Sequence, residues 1–87
     1  MPEFKPNVLV TVDGCGACAK AKRDNAAKIA AGEMRVIDIE EAFDKLIGFY
    51  DCMETKVGVA GAPVYLMVND KNEVTFCSLD PHKASQA

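Results

Sequence analysis

A β-branched apolar run, Val8-Leu9-Val10-Thr11-Val12, meets a turn at Asp13-Gly14 and then a closely spaced thiol pair in Cys15-Gly16-Ala17-Cys18. The run has the character of a buried strand, and Asp-Gly is a turn signal. From Gly16 to Ala31 the chain is rich in alanine and lysine and free of proline, which predicts a helix. Gly32 stands where its C-cap is expected. Strand, tight turn and helix therefore follow one another with two thiols at the junction. Ile29 is the only branched aliphatic of this helix, so close packing through Ala19, Ala26 and Ala30 is expected.

Met34-Arg35-Val36-Ile37-Asp38-Ile39 reads as a second strand, and Glu40 and Glu41 complement the dipole at the start of a second helix. Phe43, Leu46, Ile47 and Tyr50 fall at helical spacing and predict one core-facing side, with the helix ending near Cys52 or Met53. Gly58-Val59-Ala60-Gly61-Ala62-Pro63 reads as a loop and Val64–Val68 as a third strand. The turn residues Asn69-Asp70-Lys71-Asn72 and the strand Glu73–Cys77 complete a hairpin. Asp80 to Ala87 is too short and polar to predict a helix. The expected fold is α/β with the order β-α-β-α-β-β, a central mixed four-stranded sheet and a truncated C-terminal helix. At 87 residues the chain is read as a single domain, residues 1–87, with a core over about 7–80 and a short polar tail at 81–87.

A net charge of −3 argues against nucleic-acid binding driven by bulk charge. No stretch approaches the roughly 20 apolar residues that span a bilayer. The opening residues Met1 to Pro6 carry no long apolar run of the signal-peptide kind. The expectation is a cytoplasmic monomer with neither a membrane nor a nucleic-acid partner.

In a reducing compartment a Cys-x-x-Cys pair is a redox dithiol or half of a metal site. At a helix N-terminus, unpaired N–H groups and the positive end of the dipole stabilise a thiolate, the form that attacks disulfides. Cys15 is then the exposed nucleophile and Cys18, one turn further in, the resolving thiol. Gly16 and Ala17 leave little bulk over the pair. Lys20, Lys22 and Arg23 add positive charge to the same helix, or form a solvated face, while Asp13 would raise the Cys15 pKa. A zinc site would need two further ligands; Cys52, Cys77 and His82 stand in no recognisable zinc spacing, and no metal is assigned. Cys52 and Cys77 are expected to be buried, inert thiols, with a second redox disulfide between them as the alternative. His82 is read as solvated. Ala62-Pro63, opening a strand, suits a cis bond whose preceding backbone pairs with an extended substrate; a plain strand-start proline is the other reading.

With these residues in view, the chain resembles the glutaredoxins and small thioredoxin-like redoxins. The likeness rests on Val8–Cys18 with the Ala/Lys helix behind it and on Gly61-Ala62-Pro63-Val64-Tyr65-Leu66, and it covers roughly residues 7 to 80. It implies a thioredoxin fold, thiol–disulfide exchange through Cys15 and Cys18, and a cis peptide at Pro63 facing them. Gly16-Ala17 stands where glutaredoxins carry Pro-Tyr, and Gly61-Ala62 where they carry Thr-Val. Of the acidic and glycine residues that hold glutathione in that family, Asp80 alone has a counterpart here. The implied partners are a disulfide-containing protein substrate, such as ribonucleotide reductase, and an electron donor, either glutathione or an enzyme of the thioredoxin-reductase type. No bound cofactor is implied beyond the Cys15–Cys18 redox disulfide. The competing reading is a non-enzymatic thioredoxin-fold binding module whose dithiol senses redox state or holds a metal.

Overall fold

A computed structural model describes residues 6–54 and 63–78. The loop residues 58–62 with the Ala62–Pro63 bond, Asp80, His82 and the tail lie outside the described residues.

The elements are β1 (Val8–Thr11), α1 (Gly16–Asp24), α2 (Ala26–Ala30), β2 (Arg35–Asp38), α3 (Ile39–Lys45), α4 (Phe49–Cys52), β3 (Val64–Val68) and β4 (Val74–Ser78). The sheet order is β2-β1-β3-β4. β1 and β2 are parallel, with Val10 opposite Ile37; β1 and β3 are antiparallel, with Val10 opposite Val64; β3 and β4 form the expected hairpin. The result is the mixed, open, four-stranded sheet expected for this element order. Asn7 extends the β1–β3 pairing: its side-chain amide donates to the Val68 carbonyl at 2.8 Å and accepts the Val68 N–H at 2.9 Å.

The two central strands are buried on both faces, which is why β1 is apolar at consecutive positions rather than alternating. Val8, Val10, Val64, Leu66 and Cys77 pack with Ala42, Leu46, Phe49 and Met53. Leu9 and Tyr65 face the other way and pack with Ala21 and Met34. Fully burying each large apolar side chain stabilises the fold by roughly 1.5–3 kcal/mol, so a sheet covered on both sides is the economical use of a short chain.

The expected single helix over 16–31 is interrupted at Asn25. Its side-chain Nδ2 donates to the Ala21 carbonyl at 2.8 Å and reaches the Tyr65 hydroxyl at 3.4 Å, so this buried amide competes with helix continuation. The expected packing through Ala19, Ala26 and Ala30 is corrected as well: all three are exposed, and Cys18, Ala21, Asn25 and Ile29 turn inward instead. Gly32 ends α2 as expected. At φ +79° it allows its own N–H to donate to the Ile29 carbonyl (3.1 Å) and that of Glu33 to the Lys28 carbonyl (2.9 Å), a Schellman closure.

The second helix is also two helices. Asp38 caps α3 by accepting the Glu40 N–H at 3.0 Å, but Leu46 is already extended and Gly48 is left-handed at φ +83°. Between them Ile47 hydrogen-bonds like a strand residue, donating to the Asn72 carbonyl at 2.8 Å and accepting from Val74 at 2.9 Å. This break resets the helical phase. Of the four residues expected to face the core, only Leu46 is buried; Phe43, Ile47 and Tyr50 are 42 %, 60 % and 64 % exposed, and Phe49 takes the central place.

Candidate active site

The first strand ends at Thr11, one residue earlier than expected, and Val12 is exposed. Gly14, at φ +77°, makes the sharp turn into α1; a side chain there would meet no steric obstacle, so the glycine serves the backbone angle. Cys15 is the N-cap of α1. Its Sγ accepts the backbone N–H of Cys18 at 3.1 Å, taking the role that a serine or aspartate oxygen plays at other helix starts.

The two thiols are thereby made different. Cys15 is half-buried, whereas Cys18 is 2 % exposed. The Cys18 thiol and then the Cys18 backbone N–H hydrogen-bond Cys15 and lower its pKa; desolvation opposes them, and the Ala17 backbone adds a smaller lowering effect. Asp13, expected to raise it, does not reverse the direction. Burial pushes the Cys18 thiol up, reinforced by its hydrogen bond to Cys15 and by the nearby Cys15 charge; Val12 and the Lys22 ammonium act weakly the other way. One sulfur is thus the more readily ionised and more accessible, and the other is held protonated beneath it.

Both thiols line an open groove of about 600 Å³. Gly16 lines it as well, together with Asp13, Ala19, Lys22 and Arg23. Ala17 and Pro63 do not. Pro63 is half-buried and lies one residue before the Val10–Val64 pair, hence at the same end of the sheet as the β1–α1 turn. Ala62 and Asp80 lie outside the described residues.

Cys52 and Cys77 are not inert thiols but a disulfide joining the end of α4 to β4 across 25 residues of chain. Isolated cysteines far apart in sequence give no signal for such a bond; only the sheet register, which sets Cys77 facing the α3–α4 layer, brings them together. Also unread in the sequence was the division of the basic residues, of which Lys22 and Arg23 belong to the groove and Lys20 does not. Four-residue spacing carries that information: Lys22 follows Cys18 by four and Arg23 follows Ala19 by four.

Among the described residues no cluster of three or more histidine, cysteine or acidic side chains is arranged to hold a metal. Among the same residues no helix is long and apolar enough to cross a membrane. Comparisons with protein-family models, curated proteins and solved structures give no match.

Proposed function

We propose that this chain is a thiol–disulfide oxidoreductase with a thioredoxin-like, glutaredoxin-type arrangement. The observation that carries the reading is the inequality of the two sulfurs: an N-cap Cys15 Sγ accepting the Cys18 N–H, above a buried Cys18. The Cys15 thiolate attacks one sulfur of a substrate disulfide, forming a mixed disulfide and expelling the other sulfur as a thiolate that takes a proton from water. Cys18 then loses its proton and attacks the Cys15 sulfur, expelling the second substrate thiolate. The protein's two thiols become one disulfide, and the substrate disulfide becomes two thiols. Two glutathione thiols or an enzyme of the thioredoxin-reductase type return two electrons to Cys15–Cys18. The half-buried Pro63 lies at the same end of the sheet as the thiols, and the backbone before it is the proposed pairing site of an extended substrate.

The direct test mixes the fully reduced chain with a peptide disulfide and follows the products by mass spectrometry. The reading requires an internal Cys15–Cys18 disulfide and a free dithiol peptide, formed faster than by a simple thiol at the same pH. Exchange no faster than the simple thiol would overturn it.

The Cys52–Cys77 bond favours a second reading of direction. Structural disulfides belong mainly to oxidising surroundings, where Cys15–Cys18 would be kept oxidised and would pass its disulfide to substrate dithiols. Equilibration with glutathione buffers of stated ratio separates the two directions, since about 30 mV is a tenfold change in the equilibrium.

A further inference from the structure

The basic residues of α1 divide into two sets. Lys20 is paired with Asp24 at 3.9 Å, and neither lines the groove. Lys22 and Arg23 do line it, are exposed, and form no ion pair among the described residues. Lys22 follows Cys18 by four residues and Arg23 follows Ala19 by four, so both cations continue the helix face that begins at the thiols. Ala19, exposed and carrying only a methyl group, lines the groove with the thiols and the cations. A substrate chain bound at Cys15 can therefore lie along this face and bring its flanking side chains to the two cations. Among the described residues the one acid lining the groove is Asp13, on the turn that precedes Cys15 in the chain.

We propose that Lys22 and Arg23 select the substrate by charge, so that the preferred partner is a polypeptide disulfide flanked by carboxylates. This rests on the oxidoreductase reading, and it adds the substrate class. The exchange is the one already written: Cys15 forms a bond to one substrate sulfur, the other sulfur leaves with the electron pair, and Cys18 completes the oxidation. The cations take no part in bond making. They raise the local concentration of an anionic partner and orient it along α1.

The test uses the reduced full chain and three capped tripeptide disulfides of equal length, with cysteine flanked by glutamate, serine or lysine. Each rate is divided by the rate of mercaptoethanol with the same peptide, which removes the effect of flanking charge on the leaving thiol. At low ionic strength the normalised rate for the acidic peptide should exceed that for the basic one by about tenfold, the ratio falling towards one as salt shortens the Debye length. The double substitution Lys22→Gln/Arg23→Gln should reduce the ratio to less than about twofold, whereas Lys28→Gln, on α2 and outside the groove, should preserve it. Equal normalised rates, or a faster basic peptide, would overturn the charge selection and leave the oxidoreductase reading standing. Failure with all three peptides would overturn both.

Discussion

The backbone N–H of Cys18 donates to the Sγ of Cys15 at 3.1 Å, and this contact places the two sulfurs in unlike surroundings. A helix start leaves N–H groups without intrahelical partners. Here one of them is satisfied by sulfur, and the interaction is stronger when that sulfur carries negative charge. The same geometry sends Cys18 inward, where burial disfavours its thiolate.

Substitution should separate the two roles. Cys15→Ser is expected to lower disulfide exchange by at least about a hundredfold, because no other accessible thiolate occupies the groove. Cys18→Ser should retain the first attack but accumulate a mixed disulfide on Cys15, visible as a mass adduct that thiol reduction removes. An adduct that fails to form would assign the nucleophile elsewhere.

The Cys18 side chain also tunes its neighbour. Its thiol is the largest of the effects lowering the Cys15 pKa. Cys18→Ala removes that donor, so the Cys15 thiolate should require a higher pH to form and the alkylation curve should move upward. Cys18→Ser, whose hydroxyl also donates, should move it less. Residue-specific alkylation across pH measures both.

The Cys52–Cys77 bridge closes a separation of 25 residues. Loop-closure entropy of that size corresponds to about 3.5 kcal/mol. The Cys52→Ala/Cys77→Ala protein should lose stability of that order in urea unfolding while keeping the Cys15 alkylation profile, since both cysteines belong to the layer on the opposite face of the sheet from α1.

The corrected helix phase has an energetic counterpart. Phe49 is fully buried and packs edge-on against Phe43 at 4.8 Å, whereas Tyr50 is 64 % exposed. Phe49→Ala should cost about 3–5 kcal/mol, and Tyr50→Ala less than about 1 kcal/mol. Equilibrium unfolding of the two variants distinguishes this packing from a continuous helix with Tyr50 inside.

Much of the fold was legible because β-branched runs and turn chemistry act locally. Val8–Thr11, Val64–Val68 and the Asn69–Asn72 turn lie where the sequence points; in the turn, Asn69 accepts the N–H groups of Lys71 and Glu73. What periodicity could not reveal were the interruptions. The break over Leu46–Gly48 left Ile47 and Tyr50 outward and Phe49 inward, because helical spacing carries meaning only within one unbroken helix; Phe43, within α3 ahead of the break, is exposed as well. Asn25 stands at the break in the first helix, its buried side chain shared between the Ala21 carbonyl and Tyr65, forty residues away. At the site, the placement of Cys15 ahead of the helix was readable from local pattern alone. The Cys52–Cys77 bond was not, since it depends on strand register.

The central claim is that Cys15 and Cys18 are unlike, and pH-dependent alkylation of the reduced chain, with each cysteine followed separately by mass spectrometry, tests it most directly. Cys15 should react with a midpoint well below the free-thiol value of about 8.5, while Cys18 remains protected beyond it. If Cys15 and Cys18 instead alkylate together near the free-thiol value, the helix-start geometry confers no activation and the dithiol mechanism is contradicted.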